Sequence, residues 1–223
     1  MEATRVIRFY ESAEDYRVLS DGGYTLNVAK KVVGTSGRSS NVIWKTLPLT
    51  PRLEVSWKAK YALCWTVQCP TEGDAFSVLG TWQPCDFGES YDLSEDGLWQ
   101  PSIIVGDQTH LNVGEVLFKY PDHSGGIHIV IGIMDAITKR YEAIYVDQAG
   151  ILPGGSAKYQ PNGNLDFWYE AKTSNDSLSS SAQTSVGHVD TSVRGATGKH
   201  EWWITLVTGT GRWEVSSTAP RTC

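Results

Sequence analysis

LEVSWKAKYALCWTVQ, residues 53–68, decides the fold class. Its odd positions are apolar throughout: Leu53, Val55, Trp57, Ala59, Tyr61, Leu63, Trp65 and Val67. Its even positions are mostly polar, from Glu54 and Ser56 through Lys58 and Lys60 to Thr66 and Gln68. A period of two sends alternate side chains to opposite faces of an extended chain. The stretch therefore predicts β-structure with one buried face. Fully extended, it would reach about 50 Å, too long for one straight strand in a domain of this size. A bend or bulge is expected near residues 58–60, with both halves sharing one core.

The same period recurs elsewhere. Ile127, Ile129, Ile131 and Ile133 alternate with His128, Val130, Gly132 and Met134. One face is β-branched and the other semi-apolar, as for a central strand covered on both sides. Residues 141–146 are expected to pair with it across a turn at 135–140. Further on, Leu165, Phe167 and Tyr169 alternate with Asp166, Trp168 and Glu170. Shorter strands are expected at residues 4–10, 16–19, 24–33, 75–82, 90–93 and 111–120. Asp96-Gly97 between apolar runs is a strong hairpin signal. The chain closes with an expected hairpin, residues 200–207 and 211–216. Residues 172–199 are rich in Ser, Thr and Gly, with a polar edge strand expected around 184–193. No sustained 3.6-residue period and no internal repeat is found. About ten to twelve short strands separated by Gly, Pro and Asp turns predict an all-β fold. A single-domain antiparallel β-sandwich or barrel over residues 1–223 is expected.

Composition excludes several classes. The 19 basic and 25 acidic residues leave a net charge of −6 without a basic cluster, so a phosphate backbone would be repelled and nucleic acid is not an expected partner. No run of apolar residues is long enough to span a membrane. The N-terminal segment lacks the apolar core of a signal peptide, so a cytoplasmic protein is expected. The four cysteines contain no CxxC pair, which suits free thiols in a reducing compartment. No metal is expected, because the histidines and cysteines lack ligand spacing. No cofactor is expected either. GxSxG, HExxH, the P-loop and a GxGxxG opening a helix are all missing.

The nine tryptophans are the compositional anomaly. An indole carries an N–H that wants a partner when buried, so several are expected to line a groove or interface. Trp82, Trp99, Trp168 and Trp202 lie opposite the apolar stripes or at their ends. Asp166, Trp168 and Glu170 form an acid–indole–acid row. Carboxylates accept from sugar hydroxyls, and an indole stacks on a sugar's C–H face. The candidate ligand-binding residues are therefore Trp82, Trp99, Asp166, Trp168, Glu170 and Trp202. Among the histidines, His128 sits in an apolar strand. Burial would favour its neutral form and make it a candidate base. His123 flanks the same turn and could approach it.

YTLNVAKKV (residues 24–32) followed by NVIW (residues 41–44) resembles a phrase in small intracellular, β-rich proteins of fungi and some bacteria. That family has no assigned activity. The resemblance implies a cytosolic, β-rich protein and brings no catalytic residue with it.

Two functions of different class follow. The first is a lectin-like ligand-binding module that takes a glycan or other small molecule, with homo-oligomerisation adding avidity. The second is a cofactor-independent enzyme of the cyclase or isomerase type. It would fold a hydrophobic small molecule in an aromatic-lined cavity, with His128 moving the proton.

Overall fold

The computed structural model describes residues 3–34, 42–68, 77–104, 106–120, 126–171, 184–192 and 200–219. In chain order the elements are β1 (Thr4–Tyr10), α1 (Ala13–Asp21), β2 (Tyr24–Val33), β3 (Ile43–Pro48), β4 (Arg52–Thr66), β5 (Gln83–Cys85), β6 (Ser90–Leu93) and β7 (Trp99–Pro101). They continue with β8 (Leu111–Val116), β9 (His128–Asp135), β10 (Tyr141–Val146), β11 (Ala157–Ala171), β12 (Gly187–Asp190), β13 (Glu201–Val207) and β14 (Arg212–Ser216). Among the described residues the protein is all-β apart from one short helix. No helix among the described residues is long and apolar enough to cross a membrane.

The chain divides into two compact units. One comprises Met1–Ala29, Ile43–Lys58 and Gly163–Cys223; the other comprises Lys30–Val42 and Ala59–Asn162. Three strands are shared between them: β2, β4 and β11. The division of β4 falls between Lys58 and Ala59.

In the first unit, β1 lies antiparallel to β4, with Thr4 opposite Lys58 and Tyr10 opposite Arg52. It lies parallel to β13, and β13 forms the expected closing hairpin with β14. A second group joins β2 antiparallel to β3, and β11 antiparallel to β12. β2 also neighbours β11. Rings from the two groups meet: Phe9 of β1 lies edge-on to Phe167 of β11, with centroids 5.3 Å apart. Trp213 of β14 lies edge-on to Phe167 at 4.8 Å and stacks on Tyr169 at 5.3 Å. Aromatic pairs of this kind add about 0.5–1.5 kcal/mol each beyond the area they bury.

In the second unit, β9 and β10 pair antiparallel across the expected turn. β5 pairs with β4, β6 with β7, and β8 with the first part of β11, all antiparallel. Cys64, Val130 and Val146 form one core cluster, against which Trp82 packs.

The sequence expectations need correction at several points. Residues 16–19 are not a strand but part of α1. Ser12 caps that helix: its Oγ accepts the Asp15 N–H at 3.1 Å and its O–H donates to the Asp15 carboxylate at 2.6 Å. The pairing is not wholly antiparallel, since β1–β13 and β6–β8 run parallel. Finally, β11 begins at Ala157 rather than near Leu165, running through Pro161. The expected strand at 75–82 and the stretch 172–199 fall partly outside the described residues. Within them, residues 77–82 carry no strand, and β12 occupies part of the expected 184–193 strand.

Candidate functional site

The site lies in the first unit, on one face of β11. A strand alternates its side chains, and here the alternation is sharp. Leu165, Phe167 and Tyr169 are fully buried. Asp166, Trp168 and Glu170 are half-buried on the opposite face. The acid–indole–acid row is therefore one continuous strip of one strand.

Neighbouring strands hold the two acids. On one side, β12 places His188 directly opposite Asp166, and its Nδ1–H donates to Asp166 Oδ1 at 2.6 Å. The imidazole is 62% exposed and the carboxylate 15%. On the other side, Asn27 of β2 donates its Nδ2–H to Glu170 Oε2 at 2.7 Å. Asn27 is itself fixed, since Thr46 of β3 donates to its Oδ1 at 2.8 Å. Asn27 and Thr46 are register partners. Four strands thus contribute to one polar ladder, His188–Asp166 at one end and Glu170–Asn27–Thr46 at the other. Trp168 lies between.

The nine indoles sort themselves by partner. Trp44, Trp57, Trp65 and Trp202 are buried. Among the half-buried ones, Trp203 takes the Arg8 guanidinium over its ring at 5.2 Å. Trp213 donates Nε1–H to the Ser185 carbonyl at 2.6 Å. Trp82 lies against Gly132, where an added Cβ would fall 2.5 Å from the ring. Trp99 buries its Nε1 without a partner among the described residues. Trp168 has neither a ring contact nor a hydrogen bond from its indole among the described residues. Trp99 is the other half-buried indole without either, and Trp168 is the one of the two flanked by carboxylates on its own strand face.

The six candidate ligand residues therefore do not form one set. Asp166, Trp168 and Glu170 share a face. Trp202 is in the same unit but buried on β13 at 6% exposure. Trp82 and Trp99 belong to the second unit. His188 and Asn27 were not among the sequence candidates. Neither stands in a motif, and only strand register brings them to the acids.

His128, at the start of β9, is buried. Its Nδ1 lies 2.7 Å from the Asp147 backbone oxygen. A carbonyl only accepts, so Nδ1 carries a proton and donates it to this oxygen. The Asp147 carboxylate accepts the Tyr159 O–H at 2.7 Å and the Ala149 N–H at 3.0 Å. Burial and the Asp147 carboxylate push the Tyr159 phenol well above its usual range, which keeps it protonated. His123 lies outside the described residues. Among the described residues, no cluster of three or more His, Cys, Asp and Glu side chains is arranged to hold a metal.

Comparison with family models, with curated proteins and with solved structures finds no match.

Proposed function

We propose that this all-β protein, built as a sandwich or barrel of stacked sheets, is a lectin-like module that binds carbohydrate on the β11 face. The uncommitted Trp168 indole between two positioned carboxylates carries the reading. A pyranose lays its C–H face on such a ring while its hydroxyls donate to acids on either side. The acids are held by neighbours on β12 and β2, so little ordering remains to oppose binding. Binding fits this face better than hydrolysis. Asp166 and Glu170 are four residues apart on an extended strand, about 13 Å along the backbone. The paired carboxylates of glycosidases stand about 5–9.5 Å apart. Assembly of several copies would raise avidity without new contacts. A cytoplasmic setting suits the two buried free thiols, Cys64 and Cys85.

A glycan array probed with the labelled protein tests the reading. A family of oligosaccharides retained by wild type and lost in Trp168→Ala supports it. An array without a single binder contradicts it.

One observation favours a second reading, a cofactor-independent cyclase or isomerase. His128 is buried with its Nδ1–H held by the Asp147 carbonyl, next to the Asp147–Tyr159 pair, and a buried, oriented imidazole is what proton transfer needs. If a substrate is found, unchanged turnover in His128→Ala removes His128 from that role.

A further inference from the structure

Glu11 is a buried carboxylate that the glycan reading does not use. It follows β1 and precedes the Ser12 cap of α1, so it occupies the joint between them. It is 9% exposed. Its donors come from two strands distant in sequence. Tyr169 of β11 donates its O–H to Oε1 at 2.8 Å, and Thr205 of β13 donates to Oε2 at 3.1 Å. The Leu206 N–H of β13 is shared between both oxygens at 3.3 and 3.2 Å. One helical turn on, Asp15 accepts the N–H of Thr208 at 2.9 Å and its hydroxyl as well. Thr208 opens the turn after β13. Two carboxylates thus fasten the β1–α1 joint to β13 and its turn.

We propose that Glu11 and Asp15 form a pH-operated clasp, which holds the β1–α1 joint on β13 in mildly acidic solution and loosens as the solution becomes alkaline. The two acids differ in environment. Burial drives Glu11 up to about 7, and the Asp15 charge adds to this. The Tyr169, Leu206 and Thr205 hydrogen bonds offset part of the rise. Asp15 is more open: burial opposes its ionisation, but the Ser12 and Thr208 hydrogen bonds outweigh it and hold the carboxyl below its ordinary value. Asp15 therefore stays charged while Glu11 titrates. Trp213 stacks on Tyr169 and brings no charge.

The sign follows from linkage. With the joint open, Glu11 titrates at its ordinary value, lower than in the clasp. Its contribution is fully present below that ordinary value and is lost as pH rises through about 7. Between about pH 5 and about pH 8, the open fraction should rise on the order of a hundredfold. The proposal is independent of the glycan reading, because nothing in it involves Trp168.

Amide hydrogen exchange of the full chain tests it. After division by the intrinsic rate, Leu206 should lose protection on the order of a hundredfold over that range. Ile131 of β9 should not. In Glu11→Gln the Leu206 loss should vanish. Leu206 protection that tracks Ile131 at every pH, or a loss that persists in Glu11→Gln, overturns the clasp. Carbon NMR of the Glu11 carboxyl in the wild-type chain needs no variant. A midpoint well above the ordinary glutamate range is expected, and an ordinary midpoint overturns the proposal.

Discussion

Asn27 illustrates how much one side chain can hold. It is 2% exposed, and its amide uses both ends: the nitrogen serves Glu170 and the oxygen serves Thr46. Asn27→Leu keeps the approximate volume and removes both ends. A buried polar group left without its partner costs about 1–3 kcal/mol. The variant should lose stability in that range, read as a lower urea midpoint at unchanged slope. Its oligosaccharide binding should weaken too, because Glu170 loses its positioner. Stability indistinguishable from wild type would mean that the amide is dispensable. Periodicity in the sequence placed Asp166, Trp168 and Glu170 on one face without help. It was silent on Asn27 and His188, because period two says which way a residue points and never which strand lies beside it.

At the scale of elements, Gly187 shows what the close pairing of β12 with β11 demands. A Cβ there would collide with the Phe167 ring and lie 2.7 Å from Trp213. The Phe167 ring has no space to retreat, since it is fully buried between Phe9 and Trp213. Gly187→Ala should therefore destabilise by about 1–3 kcal/mol, as overpacking does. An unchanged thermal midpoint would contradict the packing described. Residues 61–66 of β4 and most of β9 are buried on both faces, but the second half of β11 was legible because a half-buried strand prints its alternation. α1 was not, since nine residues make only about two and a half turns and Leu19 is its one buried side chain. The Ser12–Asp15 cap was the available signal. The start of β11 was hidden by Pro161. A proline usually argues against a central strand. Here it falls between the stretch paired with β8, which ends at Tyr159, and the stretch paired with β12, which starts at Asn164. No ladder bond on that side needs its missing N–H.

For the whole molecule, two buried thiols offer a readout of global opening. Burial pushes the Cys64 thiol up to about 11 and the Cys85 thiol to about 12. Both belong to the second unit. Only the thiolate attacks an alkylating reagent, so neither should react in the native protein near neutrality. Site-resolved mass spectrometry should show both modified only as denaturant approaches the unfolding midpoint. Fast native labelling of either would contradict its burial. The all-β character was legible from composition and period alone. The division into two units was not, because β2, β4 and β11 each run across it as continuous strands.

The most direct measurement is a calorimetric titration of wild type and Trp168→Ala with the oligosaccharide best retained on the array, using Trp82→Phe as the control. Loss of the stacking ring should weaken binding at least tenfold, about 1.4 kcal/mol, while Trp82→Phe binds like wild type. Equal affinity in Trp168→Ala and wild type would contradict a glycan face on β11.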